Sequence, residues 1–217
     1  MKTNTHDRSG LSLLEVLFVV ITVALVGFTF LPVLTRPRPI GGGTRIHCTS
    51  NLKQIGLAFR LYSNDHDDRF PFAVPNDSGG TLDFLNSPQV IRHFESLSNE
   101  LITPRILVCP SDAGRLRAFD FMMPLANSNL SYFVGLDADE AKPERLLSGD
   151  RNITGGRLSN GFLRLLRTNS PAGFAAPIHN NVGNIGLADG SVQEMTPRTL
   201  QWQLQSNTLA VIRLAIP

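Results

Sequence analysis

Ser9-Gly10-Leu11-Ser12-Leu13-Leu14-Glu15-Val16-Leu17 opens an apolar run that continues to Thr35 with a single charge in it. From Val16 to Thr35 there is no ionisable side chain. As a helix rising about 1.5 Å per residue, that stretch reaches roughly 30 Å, the thickness of a bilayer's hydrocarbon core. A carboxylate near the start of such a helix is costly in lipid, so Glu15 is expected to have a function and a partner. The run is too long for the apolar region of a secretory signal peptide. A processing point lies instead before it, at Gly10-Leu11, after a polar leader carrying Lys2, Asp7 and Arg8. Cleavage there would leave the apolar helix on the mature chain and create an α-amine at Leu11. That amine can pair with Glu15 of a neighbouring subunit, neutralising two buried charges and fixing the axial stagger of the helices. The plainer alternative is a signal anchor in which the positive end of the helix dipole simply favours Glu15.

Charge does not fix the orientation of the segment. Lys2 and Arg8 precede it, while Arg36, Arg38 and Arg45 follow it. Beyond the span there are about 180 residues, enough for one modest domain. The whole chain has a formal net charge of +2, which leaves no footprint for nucleic acid. With 18 Gly, 14 Pro and aromatics that are mostly Phe, the composition fits a loop-rich α+β domain better than a helical bundle.

Residues 36–43 read as a Pro/Gly linker, because Pro37, Pro39 and the triplet Gly41-Gly42-Gly43 discourage a helix. A second helix is expected from about Thr44 to Asn64, with Cys48, Leu52, Ile55, Phe59 and Tyr62 along one apolar stripe. That stripe is a natural spine for a small antiparallel sheet. Asp65-His66-Asp67-Asp68 ends it, either as a solvated loop or as a cation-binding cluster. Ser87-Pro88 should open a short helix that turns Val90, Ile91, Phe94 and Leu97 inward. Ile106 to Val108, Ser131 to Val134 and Leu146 to Ser148 read as strands. Gly183 to Met195 reads as a hairpin on Asp189-Gly190 with a type I′ turn, Leu187 facing Val192. Thr196-Pro197 starts a last helix with Leu200, Trp202 and Leu204, and Leu209 to Ile216 is a terminal strand.

Gly10 before the cut, an apolar first residue and Glu15 as fifth mature residue resemble the class III leader of type IV pilins and type II secretion pseudopilins. Leu11 stands where that family usually has Phe, and Pro32 stands where it often has a proline kink. Asn51-Leu52-Lys53-Gln54-Ile55-Gly56-Leu57-Ala58 after Cys48 resembles the helix of a pseudopilin-like group common in planctomycetes and verrucomicrobia. That group ends in a segment written H-X9-DG. Here His179 is followed by nine residues and then Asp189-Gly190. Ser131 to Asp137 and Leu147 to Asn152 are also similar to its secretion branch.

The resemblance implies four parts: a leader at 1–10, a transmembrane and filament-core helix at 11–35, the linker at 36–43, and an extracytoplasmic pilin-like domain at 44–217. It also implies cleavage by prepilin peptidase after Gly10, with methylation of the new N-terminus. The subunit would sit in the bacterial inner membrane with its N-terminus cytoplasmic and its domain in the periplasm. It would then assemble with other pseudopilins on the inner-membrane platform of a type II secretion system. Two other readings stand beside this one: a type IV pilin for adhesion or DNA uptake, and a membrane-anchored ligand-binding or sensor domain. The last would need neither Gly10 nor Glu15.

Cys48 and Cys109 would form one disulfide outside the cytoplasm, or remain two buried thiols. With no CxxC pair and no histidine expected near the pair, they do not read as a metal site. No GxSxG, HExxH or P-loop is present, and the chain reads as a non-enzyme. His179 and Asp189 can form an acid/base pair, but a structural lock of the loop histidine onto the turn aspartate is preferred. Asp137, Asp139, Glu140 and Asp150 offer hard oxygen ligands for a Ca²⁺ ion, without the spacing of an EF-hand. Otherwise no cofactor is expected.

Overall fold

A computed structural model describes residues 13–34, 40–159, 161–167 and 171–217, without the side chains of 29–34, 40–43 and 166. The leader, the processing point at Gly10-Leu11 and linker residues Arg36 to Pro39 lie outside the described residues. The chain divides into two units, Met1–Ile40 and Gly41–Pro217.

The first unit holds α1 (Leu13–Leu34), 22 residues with Glu15 in its first turn. Its sequence is apolar on every side, so no face is marked for a globular core. Among the described residues no helix is long and apolar enough to cross a membrane. The described side chains of α1 end at Phe28, short of the roughly 20 residues that a span requires.

In the second unit, α2 runs Ile40–Asn64, so the glycine triplet is helical and the expected linker is shorter than 36–43. Glycine costs about 1 kcal/mol in a helix without being sterically barred, and the packed stripe downstream sustains the helix. Cys48, Leu52, Ile55, Phe59 and Tyr62 are all buried, as the spacing predicts, and Ala58 is buried with them. The Phe59 ring centroid lies 6.0 Å from that of Phe70 and 5.9 Å from that of Phe94, both edge-on. Such aromatic contacts add to burial that is itself worth about 1.5–3 kcal/mol per large side chain.

Short helices follow, α3 (Arg92–Glu95) and α4 (Ser98–Leu101). Val90, Ile91, Phe94 and Leu97 do point inward, although α3 begins later than Ser87-Pro88 suggests. Ile106 to Val108 is not a strand. Pro104–Leu107 is a 3-10 turn, started by the Thr103 side chain accepting from the Arg105 backbone N–H, with Pro104 pre-set for a helical start.

Nine strands complete the described fold: β1 (Tyr132–Gly135), β2 (Leu146–Asp150), β3 (Ile153–Thr154), β4 (Arg157–Ser159), β5 (Phe162–Leu166), β6 (Gly173–Phe174), β7 (Gly183–Leu187), β8 (Val192–Met195) and β9 (Val211–Ala215). Two helices punctuate them, α5 (Ala176–His179) and α6 (Pro197–Ser206). Seven strands form one antiparallel sheet in the order β4-β5-β9-β1-β2-β7-β8, larger than the small sheet expected, while β3 and β6 pair separately. The C-terminal strand β9 lies inside the sheet, between β5 and β1.

Alternation along β1 builds two cores. Tyr132 and Val134 join the α2 stripe, whereas Phe133 joins Ile185, Leu200, Leu204 and Ile212 on the other face. The Thr196–Thr199 capping box starts α6, whose Leu200 and Leu204 are buried while Trp202 stays 56% exposed. The sheet is therefore sandwiched between α2 and α6.

The β7–β8 hairpin corrects two details. Gly186, not Leu187, faces Val192. Only Gly190 has positive φ, at 83°, so the connection is a type I turn closed by a left-handed glycine rather than type I′. The Gly190 N–H bonds to the Leu187 carbonyl at 2.9 Å, and the Leu187 N–H to that of Ser191 at 2.9 Å.

Candidate functional site

Three residues on one face of α2, Arg45, Cys48 and Thr49, lie three and four positions apart and so stack along the helix. They meet the start of β7 and the end of β2. Cys48 is bonded to Cys109, which follows the 3-10 turn at Pro104–Leu107. The disulfide reading thus holds over two free thiols, and it ties the spine helix to the middle of the chain.

His179 ends α5, and Asn180 and Asn181 after it both take left-handed backbone, with φ of 54° and 65°. Asparagine tolerates that region better than most side chains. The kink turns the chain into β7 and leaves the His179 imidazole against the disulfide, with Nε2 at 3.5 Å from Cys109 Sγ. The same Nε2 lies 3.3 Å from Asp150 Oδ2, at the end of β2. Asn184 on β7 donates from its backbone N–H at 2.7 Å and from its side chain at 2.9 Å to Asp150 Oδ2. Thr49 closes the ring by donating to Asn184 Oδ1 at 3.0 Å, and Arg45 donates to the His179 carbonyl at 3.3 Å.

All four central residues are sealed. Cys48 and Asp150 are 0% exposed, Cys109 1% and His179 4%. Burial pushes the Asp150 carboxyl up to about 7, against the two Asn184 hydrogen bonds that pull it down. Burial, then the Arg45 charge, holds His179 below the usual imidazole range. Both shifts favour the neutral forms, so the contact is a buried hydrogen bond rather than a strong ion pair. Beside it, Asp112 makes a bidentate pair with Arg151, at 2.7 and 2.8 Å. The node is covered from solvent, and chemically it clamps one helix to two strands.

The H-X9-DG segment separates into two fastenings. His179 sits at the entry to β7, while Asp189 and Gly190 lie beyond its other end, about 3.3 Å further on per strand residue. His179 and Asp189 therefore form neither a lock nor an acid/base pair with each other. Asp189 Oδ1 caps its own turn through the Ser191 N–H at 2.8 Å, and its carbonyl accepts from Arg60 at 3.1 Å. Gly190 packs against the spine at Gly56, where an added Cβ would stand 3.4 Å from the Gly190 Cα. So α2 is stapled near one end by Cys48 and Thr49 and further along by Gly56 and Arg60.

The four carboxylates expected to hold Ca²⁺ do not converge. Asp150 is in the disulfide node. Asp137 accepts from the Arg213 side chain at 2.8 Å, and Asp139 lies 3.8 Å from Arg145. Glu140 bonds Ser63 and lies 3.4 Å from Arg60. Strand β2 carries Asp150 away from the 137–140 loop, which is why closeness in sequence misled. Asp68, Asp137 and Asp139 do line one recess of about 350 Å³, but Arg69 and Arg145 line it with them.

The expectation that no histidine neighbours the cysteines is also corrected, since chain topology brings His179 to them. Arg45, Thr49 and Asn184 were not anticipated. The i, i+3, i+4 spacing of Arg45, Cys48 and Thr49 was a readable signal; nothing local marked Asn184. Glu15 takes the first turn of α1, and Gly10 and Leu11 lie outside the described residues. No protein-family model, curated protein or solved structure matches the chain.

Proposed function

We propose that the protein is a non-enzymatic structural subunit of a pseudopilus, anchored in the bacterial inner membrane until it is processed after Gly10. The observation that carries this reading is α1: 22 helical residues whose only ionisable side chain, Glu15, falls in the first turn. A globular protein gains nothing from an unbroken apolar cylinder, whereas a membrane-stored filament subunit needs one. Glu15 then sets the register between neighbouring helices by meeting the Leu11 α-amine of another subunit. The second unit supports the reading in its own way. A long spine helix, stapled at two levels to an antiparallel sheet, is suited to a load-carrying subunit, and the sealed node offers nothing to turn over.

In this reading the partners are other pseudopilins, prepilin peptidase and the inner-membrane platform of type II secretion. The domain occupies the periplasm and the filament acts as a piston. Glu15→Ala tests the assembly role. In cells carrying the secretion system, engineered cysteines between α1 helices should cross-link in the parent chain and fail to do so in the variant. Leader cleavage should continue in both. Equal cross-linking would remove Glu15 from assembly and favour an anchored binding or sensor domain.

A further inference from the structure

We infer that Cys48, Cys109 and His179, with Asp150 beside them, form a site for one divalent cation of the zinc class when the two cysteines are reduced. Among the described residues, Cys48, Cys109 and His179 are the one group of three such side chains whose ligand atoms all lie within 4.8 Å of one another. They come from three separate elements, α2, the turn after Leu107 and the end of α5, and all three are buried.

The spacing suits tetrahedral coordination. With zinc–sulfur bonds of about 2.3 Å and zinc–nitrogen bonds of about 2.0–2.2 Å, nitrogen and sulfur ligands stand roughly 3.5–3.7 Å apart and two sulfurs about 3.8 Å. His179 Nε2 lies 3.5 Å from Cys109 Sγ and 3.3 Å from Asp150 Oδ2. The first has the length of a nitrogen–sulfur edge of such a tetrahedron, while Asp150 stands outside the 4.8 Å group, next to its histidine.

Asp150 beside the group is 0% exposed and turns Oδ2 toward His179, so a buried carboxyl stands next to the site. Two thiolates and an imidazole leave a bound dication without net charge, and Arg45 stands against the site through its 3.3 Å bond to the His179 carbonyl. The soft sulfur and nitrogen donors select zinc-like ions over calcium or magnesium.

Disulfide and metal exclude each other, because a bonded sulfur is not a thiolate ligand. A dithiol that reduces the Cys48–Cys109 bond gives up two electrons and two protons and becomes its own disulfide. Coordination of Zn²⁺ then releases the two thiol protons. Since both sulfurs are buried, the two states interchange only while the domain folds or opens. The ion would hold α2 to the sheet in the reduced chain, as the disulfide holds it in the oxidised one.

The test uses the full-length chain in detergent micelles, reduced anaerobically with a dithiol that is then removed, and titrated with Co²⁺ as a spectroscopic probe. The expected result is one Co²⁺ per chain with the visible bands of tetrahedral thiolate coordination, displaced by Zn²⁺ and absent from the oxidised protein. Asp150→Asn should bind about tenfold more weakly, and His179→Ala more weakly still. No thiolate-bound Co²⁺ in the reduced protein, or equal binding by His179→Ala, would overturn the proposal. If the reduced chain unfolds without metal, one equivalent of Zn²⁺ should restore its far-ultraviolet circular dichroism and thermal transition in the parent but not in His179→Ala. Failure to restore them in the parent overturns the proposal equally.

Discussion

His93 should impose an acid limit on the stability of the globular unit, and replacing it should flatten that limit. The imidazole sits in α3 at 0% exposure, with Nδ1 2.7 Å from Thr81 Oγ1 and with no partner for Nε2. Burial lowers its pKa from 6.5 to about 4. Between those values the unfolded chain binds a proton that the native state does not, so falling pH favours unfolding. The contribution is fully present above pH 6.5 and is lost as the pH falls to 4. A displacement of that size is worth about 3 kcal/mol. Asp150 acts with the opposite sign: its carboxyl rises from 3.8 to about 7, so it favours the native state below pH 3.8 and loses that advantage as the pH rises toward 7. The parent curve alone mixes the two. His93→Asn retains a group that can bond Thr81 and does not titrate. Urea unfolding of the parent and the variant, followed by far-ultraviolet circular dichroism in the same detergent, should give a stability difference that changes by about 3 kcal/mol from pH 7 to pH 4. The variant should lose less. Parallel curves across that range would refute the assignment of a neutral, buried His93.

Other outcomes follow from the packing. Closing a loop with a sequence separation of 61 should make Cys48→Ala/Cys109→Ala about 4 kcal/mol less stable than the oxidised parent in urea unfolding; a loss below about 1 kcal/mol would show that the noncovalent node holds the helix unaided. Gly190→Ala places a Cβ on a residue with φ of 83° and should lower stability by about 1–2 kcal/mol. An unchanged urea midpoint would show that the turn relaxes freely. Phe59→Ala empties the aromatic cluster at the centre of the α2 face and should cost about 3–5 kcal/mol, read as a loss of thermal midpoint.

What could be read from the chain follows the range of the interactions involved. The α2 stripe was legible because a 3.6-residue period is local, and the cap of α6 because Thr196-Pro197 is a short-range signal. The inward residues around α3 were legible for the same reason. Ile106 to Val108 was misread because three apolar residues suit a strand as well as a turn, and Thr103-Pro104 just before them decided the matter. The β4–β5 hairpin was overlooked although Asn160-Gly161 between Leu158 and Leu163 is a turn signature. The place of β9 between β5 and β1 is a long-range pairing that no local pattern encodes.

The candidate site divides similarly. Glu15 is defined by its position along one helix and is visible in the sequence. The Cys48–Cys109–His179–Asp150 node is assembled by topology: all four residues stood out in the sequence, but only the two cysteines were paired with each other. The separation of His179 from Asp189 is physical too: a five-residue strand lies between them, and a strand keeps its ends apart.

The central claim, a processed filament subunit, rests on what happens at Gly10-Leu11. The direct measurement is the intact mass and N-terminal sequence of the protein recovered from membranes of cells with active prepilin peptidase. A mature chain beginning at Leu11, with or without a methyl group, is the predicted result. A chain that still begins at Met1 would contradict the account and leave an anchored domain with a buried clamp.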